Sequence, residues 1–251
     1  MKVGFIGLGH MGGPMCRNII KGGHEVRIYD LSEAAIKDCE AVGGIAANSI
    51  AKTVAGAEIV MTSLPMPADV ETVAIGPDGI LENAAPGTIY VDLSTNSPAM
   101  MKKIAAEMAK KDVIALDGPV SGGVDGAEKA TIAIMVGGDR KAFDFCMPVF
   151  ESFGKTIVHT GELGSGCVAK LVNNMIAFTN MVAGAEGLMM GVAAGMDAAV
   201  LNEIVRNSSG NSMGYRTVAK SALERDFSPA FTVDLAYKDL RLAGLYKPNL
   251  Q

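Results

Sequence analysis

A glycine run near the start of the sequence has the spacing of a phosphate-binding loop. The run Gly7-Leu8-Gly9-His10-Met11-Gly12 follows the apolar segment Val3 to Ile6 and precedes a helical pattern. At such a junction Gly7 permits a tight turn, Gly9 lets the backbone approach a pyrophosphate and Gly12 lets the helix pack against the strand. The helix N-terminus adds free N–H groups and the positive end of its dipole. The run therefore predicts a dinucleotide site.

An acidic residue follows the next strand-like segment. Asp30 comes about twenty residues after the glycine run, directly after the segment Glu25 to Tyr29. A carboxylate there accepts hydrogen bonds from the adenine ribose hydroxyls and repels a 2′-phosphate. Residues 31–33 include no arginine to receive that phosphate, so the sequence favours NAD over NADP. An alternative role for Asp30, compatible with the first, is to cap the helix predicted from Ser32 to Val42.

A lysine followed by two asparagines is the second group suited to chemistry. A carbonyl that receives a hydride also needs a proton, so a redox site requires an acid beside the cofactor. Histidines are poor candidates, because His10 lies in the phosphate loop, His24 in a turn and His159 at a strand end. Lys170 begins an apolar helical stretch, and the pair Asn173-Asn174 lies three and four residues on, hence on the same helical face. From spacing alone, a surface lysine in the first helical turn is an equally good interpretation.

The elements that would position these residues form two blocks along the chain. As far as about Val158, short β-branched or aliphatic runs alternate with amphipathic stretches, which is typical of a parallel sheet covered by helices on both faces. After the glycine-rich segment 161–166 no strand pattern is present. The predicted strands are Lys2 to Ile6, Glu25 to Tyr29, Glu58 to Thr62, Thr88 to Asp92, Val113 to Leu116, Thr131 to Val136 and Thr156 to His159. The predicted helices include Met11 to Lys21, Asp139 to Ser152, Val168 to about Gly195, Asp197 to Arg206, Ser212 to Leu223 and Thr232 to Leu245.

These blocks predict an α/β chain with two domains. Residues 1–163 would form a Rossmann-type domain with a doubly wound sheet, and residues 164–251 an all-helical domain built on one long interdomain helix. That helix would span about 40 Å at its rise of about 1.5 Å per residue. It carries Lys170, three asparagines and Glu186. Because such groups are costly in lipid, a helix buried between domains or subunits is favoured over a membrane span.

Composition excludes several classes of function. The 251 residues carry a net charge of −5, which offers no global attraction for nucleic acid or an anionic membrane. The scattered cysteines form no CxxC pair and have no histidine at ligand spacing, so they predict buried thiols and no metal site. The start of the sequence lacks the features of a signal peptide, and a cytoplasmic location is expected. The four cysteines are Cys16, Cys39, Cys146 and Cys167.

Several motifs, read together, are similar to those of the β-hydroxyacid dehydrogenases. Besides the glycine run they are Asp92-Leu93-Ser94-Thr95, Asp117-Gly118-Pro119-Val120-Ser121-Gly122-Gly123, Gly166-Cys167-Val168-Ala169-Lys170-Leu171-Val172-Asn173-Asn174 and Lys238-Asp239-Leu240. The family includes 3-hydroxyisobutyrate dehydrogenase, tartronate semialdehyde (2-hydroxy-3-oxopropionate) reductase and the glyoxylate or succinic semialdehyde reductases. The resemblance implies hydride transfer between a nicotinamide cofactor and a small carboxylate that carries a β-hydroxyl or an aldehyde group.

The resemblance also implies residue roles. Lys170 would be the general acid that protonates the carbonyl oxygen, and the general base in the reverse direction. The substrate would be bound through its carboxylate by Ser121, Gly122 and Gly123, oriented by Asn174 and walled by Phe231. The cofactor would be contacted by Gly7, Leu8, Gly9, His10, Met11, Gly12, Asp30, Leu64, Pro65, Thr95, Lys238 and Asp239.

The sequence departs from the family pattern at its C-terminal end. Family members continue through further helices after the motif Lys238-Asp239-Leu240, whereas this sequence stops at Gln251. A helical domain truncated relative to the family is therefore expected. Its exposed apolar face would favour a homodimer or a homotetramer.

Three other interpretations stay open at this stage. A non-catalytic dinucleotide-binding module would share the fold, but such relatives characteristically lack the lysine that is present as Lys170. Imine reductases commonly carry Asp or Tyr at that position. In 6-phosphogluconate dehydrogenase the helical domain is much larger.

Overall fold

A computed structural model describes residues 1–228 and 231–245. Strands and helices alternate through its first two thirds, as the hydrophobic pattern predicts. The strands are β1 (Lys2–Ile6), β2 (Glu25–Tyr29), β3 (Ile45–Ala46), β4 (Ile59–Thr62), β5 (Ile89–Asp92), β6 (Ile114–Asp117), β7 (Val120–Ser121), β8 (Ile132–Gly137) and β9 (Gly154–Gly161).

Eight α-helices and one short 3-10 helix (Ala109–Lys111) lie between these strands, and four more α-helices follow. The first eight are α1 (Gly12–Lys21), α2 (Glu33–Glu40), α3 (Ile50–Val54), α4 (Pro67–Ile75), α5 (Ile80–Asn83), α6 (Pro98–Met108), α7 (Gly123–Glu128) and α8 (Arg140–Phe150). The later ones, as far as the described residues extend, are α9 (Ser165–Ala193), α10 (Ala198–Arg206), α11 (Met213–Glu224) and α12 (Val233–Leu245).

The described strands form one mixed sheet. Its order is β3-β2-β1-β4-β5-β6-β8-β7, with β9 paired to β8. Neighbours from β3 to β6 are parallel, β8 runs antiparallel to β6 and β7, and β9 is parallel to β8. The order reverses between β1 and β4, which is where open α/β sheets bind their ligands, at the carboxyl ends of the strands.

The sheet is covered on both faces, and each face has its own core. Alternate strand residues point to opposite faces. One cluster contains Phe5, Val91 and Phe150, and the other contains Val60, Tyr90 and Met101, all of them fully buried. The prediction of a Rossmann-type doubly wound sheet is confirmed. The four cysteines are buried and free, as predicted.

The chain divides into two compact units, Met1–Lys170 and Leu171–Gln251, so that α9 contributes its first turns to one unit and the rest to the other. The described residues of the second unit form helices joined by turns and include no strand, which confirms the all-helical prediction. Asp197 caps α10 and Ser212 caps α11 through side-chain oxygens that accept backbone N–H groups of the first turn. Residues 246–251, which end the predicted helical domain, lie outside the described residues.

Among the described helices, α9 is long and apolar enough to cross a membrane by length and composition alone. It begins at Ser165, three residues before the predicted start at Val168. The physical reason is a remote cap: the buried carboxylate of Asp117 accepts the backbone N–H groups of Gly164 and Cys167, which satisfies donors that a helix start leaves without partners.

Candidate functional site

The glycine loop joins β1 to α1 and closes tightly on itself. Gly7 has a φ of +93°, and a Cβ atom on Gly12 would overlap the carbonyl oxygen of Gly7. A Cβ atom on Gly9 would meet no atom within 4 Å. Among the described residues, α1 has no side-chain cap and no acidic residue in its first turn. The loop therefore leaves backbone open at Gly9, beside a helix N-terminus that suits a pyrophosphate.

The side chain of Asp30 is hydrogen-bonded to the glycine loop. Its Oδ2 accepts the N–H of Leu8 at 2.5 Å, and its Oδ1 accepts the N–H of Ser32 at 2.7 Å. The cap of α2 is Ser32, whose Oγ accepts the N–H of Ala35 at 3.3 Å. The alternative role of Asp30 as the cap of that helix is therefore wrong. Its carboxylate instead ties the end of β2 to the glycine loop.

Three predicted cofactor segments meet at the carboxyl ends of β1, β4 and β5. The N–H of Leu64 donates to Oγ of Ser94 at 2.9 Å, and a Cβ atom on Gly7 would lie 2.9 Å from Cδ2 of Leu64. Pro65 is exposed and Thr95 is half-buried. The glycine loop, the Leu64-Pro65 turn and the Ser94-Thr95 turn are thus neighbours in one unit.

A buried aspartate shapes the turn that carries Thr95. The carboxylate of Asp92 accepts hydrogen bonds from Thr62 Oγ1 at 3.0 Å, the N–H of Ser94 at 3.1 Å and Asn96 Nδ2 at 3.0 Å. Burial raises the pKa of Asp92, and these hydrogen bonds oppose that rise. The sequence analysis assigned no role to Asp92. A carboxyl group at the end of an otherwise apolar strand could have indicated that this side chain holds the turn that follows.

The predicted substrate loop starts at β7, which pairs with β8 so that Ser121 faces Ala133. Gly122 and Gly123 have φ values of +143° and +67°, which side chains rarely adopt. Both glycines are exposed and Ser121 is half-buried. The loop therefore presents backbone and a hydroxyl group, as the binding of a carboxylate requires.

Helix α7, which follows the substrate loop, is joined to α1, which follows the glycine loop. Nδ2 of Asn18 donates to the carbonyl of Ala127 at 2.7 Å, and Arg17 pairs with Glu128 at 2.6 Å. The helices that follow the two predicted binding loops are in this way held against each other within the first unit.

Lys170, the predicted acid, is half-buried and lies three residues after Cys167 in α9. Cys167 is 1% exposed. Burial, and then the nearby carboxylates of Asp117 and Asp92, raise the pKa of its thiol well above the usual value. The start of α9 is therefore packed into the first unit, and Lys170 follows it directly.

The second unit holds the other predicted residues in two groups. Nδ2 of Asn174 donates to Oδ2 of Asp239 at 2.6 Å, and Nζ of Lys238 lies 3.2 Å from the other oxygen of that carboxylate. Asn174 and Asp239 are both buried. Phe231 is half-exposed and stacks on Phe178 with ring centroids 5.6 Å apart. The asparagine and the Lys238-Asp239 pair thus form one polar cluster.

Comparison with known proteins places the chain among nicotinamide-dependent oxidoreductases. The family model described as the NAD binding domain of 6-phosphogluconate dehydrogenase matches residues 2–161. The family model described as NAD-binding of NADP-dependent 3-hydroxyisobutyrate dehydrogenase matches residues 164–245.

Relatives of established name cover nearly the whole chain. It is 39% identical to the NAD-dependent L-serine dehydrogenase of Pseudomonas aeruginosa, over 96% of this chain and 84% of that one. It is 41% identical to the 2-(hydroxymethyl)glutarate dehydrogenase of Eubacterium barkeri, over 97% and 81%. The structure of Mycobacterium tuberculosis 3-hydroxyisobutyrate dehydrogenase with L-serine superposes with a TM-score of 0.88 at 34% identity, over 98% and 89%.

The sheet, the glycine loop and these matches define an oxidoreductase that transfers a hydride between a nicotinamide cofactor and a hydroxyacid. The chain belongs to the β-hydroxyacid dehydrogenase family. The resemblance inferred from the motifs is thereby confirmed.

Proposed function

We propose that the protein is an NAD-linked dehydrogenase of small carboxylates that carry a β-hydroxyl or an aldehyde group, with Lys170 as the general acid and base. The observation that carries the proposal is the content of the first unit, which includes the open glycine loop, the Ser121 loop and Lys170. The names of the relatives, an L-serine dehydrogenase and a 2-(hydroxymethyl)glutarate dehydrogenase, support this class of substrate.

The residue roles follow from the chemistry of the groups. When bound, the nicotinamide supplies the acceptor or the donor of the hydride. In the oxidative direction, the neutral amine of Lys170 takes the hydroxyl proton as the carbinol C–H bond breaks, and a carbonyl group forms. Ser121, Gly122 and Gly123 bind the carboxylate through a hydroxyl and backbone N–H groups. The family resemblance implies further contacts, which the proposal retains. The substrate is contacted by Asn174 and Phe231, and the cofactor by Lys238 and Asp239.

The preference for NAD rests on Asp30. Its carboxylate is fixed beside the glycine loop by the N–H groups of Leu8 and Ser32, and a 2′-phosphate near it would be repelled. The neighbouring Leu31 is 91% exposed and offers no positive charge. A carboxylate held in this way accepts ribose hydroxyl groups and disfavours NADP.

Domain limits, location and assembly complete the proposal. The predicted domains are residues 1–163 and 164–251, and Gly161 and Gly164, both with positive φ, support a boundary there. We place the enzyme in the cytoplasm, without a nucleic-acid or membrane partner. A homodimer or a homotetramer is supported by the exposed apolar side chains of α9, among them Met189 and Met190 at 72% and 73%.

Substitution of Lys170 tests the mechanism. K170A and K170R are assayed with NAD⁺ or NADH against L-serine, 3-hydroxyisobutyrate, 2-(hydroxymethyl)glutarate, glyoxylate and tartronate, succinic and methylmalonate semialdehydes. Loss of a general acid–base group costs about 10²–10⁴-fold in kcat, and K170R is expected to be equally slow because arginine does not lose its proton in proteins. K141A, at an exposed lysine of α8, is the control. A K170A enzyme with the parent kcat would remove Lys170 from the mechanism.

Exchange at residues 30 and 31 tests the cofactor preference. In the double variant D30N/L31R, the ratio of kcat/KM with NADPH to that with NADH is expected to rise at least about tenfold, since one tenfold step corresponds to only about 1.4 kcal/mol. L31R alone, with the carboxylate kept, is the matched control and is expected to shift the ratio less. An unchanged ratio in the double variant would leave Asp30 with the single task of holding the glycine loop.

A further inference from the structure

The carboxyl group of Asp117, at the end of β6, is buried, and the residue roles above leave it without a task. It is 0% exposed. Its Oδ1 accepts the N–H of Gly164 at 2.6 Å and its Oδ2 accepts the N–H of Cys167 at 2.7 Å. A buried carboxylate is costly unless hydrogen bonds satisfy it. Both oxygens of Asp117 therefore accept hydrogen bonds from the start of α9.

The start of α9 packs so closely against β6 and β8 that a side chain at Gly166 would not fit. A Cβ atom on Gly166 would overlap the carbonyl oxygen of Met135 and would lie 2.9 Å from Oδ2 of Asp117. The hydroxyl groups of Thr160 and Ser165 form a hydrogen bond of 2.7 Å at the same end of the helix. The first turn of α9 is consequently fixed to the sheet by hydrogen bonds of backbone and side-chain groups within one unit.

Asp117 stands close in sequence to one functional element and close in space to another. Four residues after it, β7 ends at Ser121, which opens the proposed substrate loop. Three residues after its partner Cys167 comes Lys170, on the same side of the helix. One carboxylate thus links the strand that leads into the substrate loop to the helical turn that precedes the proposed acid.

We propose that Asp117 is a positioning residue for the hydride-transfer reaction, which sets the place of Lys170 relative to a substrate held at Ser121. This inference rests on the proposed role of Lys170. Catalytic groups must be held within about 0.5 Å of the productive geometry, and a displacement of about 1 Å costs about 100-fold in rate. A cap supplied by the substrate-loop strand fixes that distance more directly than a cap supplied by α9 itself.

The variant D117N tests the proposal, because asparagine keeps the size of the side chain but can accept only one of the two N–H groups. The probe is L-serine or 3-hydroxyisobutyrate, whichever the parent oxidises faster with NAD⁺, and the same compound deuterated at its carbinol carbon. We expect kcat to fall about 100-fold and the deuterium isotope effect on kcat to rise, because hydride transfer becomes slower than product release. The dissociation constant of NADH, read from its own fluorescence in a chain without tryptophan, is expected to stay within twofold.

The matched control is D139A, which removes the helix cap of α8 and none of the hydrogen bonds of Asp117. Asp139 caps α8 by accepting the N–H of Ala142 at 2.8 Å. D139A is expected to lower the thermal midpoint while leaving kcat and the isotope effect at the parent values. A D117N enzyme that behaves in the same way would overturn the proposal.

Two further variants keep the outcome decisive. If D117N does not fold, D117E keeps the carboxyl group but displaces its oxygens by one methylene from the N–H groups of Gly164 and Cys167. A severalfold fall in kcat with unchanged NADH binding supports the proposal, and a parent kcat overturns it. K170A separates this inference from the proposed function. An active K170A enzyme defeats the role of Lys170, whereas an inactive K170A beside a fully active D117N defeats only the role of Asp117.

Discussion

The two compact units differ in how much apolar surface each one buries. In the first unit both faces of the sheet are covered, and the largest fully buried side chains, among them Phe5, Tyr90, Phe150 and Phe153, all belong to it. In the described part of the second unit, the buried cluster consists of Leu188, Tyr215 and Ala219. Since buried apolar area is the main source of stability, the first unit is the stable body of this chain.

The units also differ in what they expose. On the second unit, Met189, Met190, Met213 and Val233 are each more than 70% exposed. Exposed apolar side chains of this kind are what the proposed assembly would cover.

Truncation of one core residue in each unit is expected to give the largest effect on stability. F150A removes a fully buried ring, and we expect a loss of about 3–5 kcal/mol in the free energy of unfolding. L188A acts on a side chain that is 7% exposed in a small cluster, and about 2 kcal/mol is expected. Urea unfolding followed by circular dichroism gives both values. A larger loss of unfolding free energy for L188A than for F150A would contradict the conclusion that the first unit is the more stable one.

Charge on the exposed face of α9 is expected to change assembly more than folding. In M189K/M190K the free energy of unfolding at low concentration should change by no more than about 0.5 kcal/mol per exposed site. Sedimentation velocity should show the parent as a dimer or a tetramer and the variant shifted toward monomer. M66K, at a methionine of the first unit that is 44% exposed, is the matched control. A parent that sediments as a monomer at every concentration would contradict the proposed assembly.

Much of the first unit was accessible from the sequence, because its strands are apolar runs bounded by turns. β1 and β2 have the predicted ends, and the other predicted strands differ by at most two residues. The two-residue strands β3 and β7 were not predicted, because two residues carry no periodicity; β7 is a strand only because it pairs with β8.

The loops of the candidate site were predictable from the sequence, but the buried carboxyl groups that hold its elements in place were not. Glycine spacing and family motifs identified the loops around Gly7 and Ser121. The tasks of Asp117 and Asp239 depend on partners 47 to 65 residues away, and no local pattern encodes such a separation. For the same reason the start of α9 was predicted three residues late.

The smallest predicted effect concerns the pH dependence of stability in the first unit, at Asp92. Burial raises its pKa in the folded protein, so the folded state holds this proton more tightly than the unfolded state, in which the pKa is about 3.9. Stability from this group is therefore present at low pH and is lost as the pH rises through the folded pKa. In D92N that loss cannot occur. The stability of D92N relative to the parent should rise with pH from about pH 4 upward and then level off.

The variant T62V should show the opposite trend, because the hydrogen bond from Thr62 to Asp92 lowers the pKa of that carboxyl. Without it the folded pKa is higher, so T62V should lose more stability than the parent over the same range. Urea midpoints measured between pH 4 and pH 8 test both curves. Parallel curves for all three proteins would mean that Asp92 titrates alike in the folded and unfolded states. Its hydrogen bonds to Thr62, Ser94 and Asn96 would then offset its burial completely, and the turn that carries Thr95 would be held without cost from a buried charge.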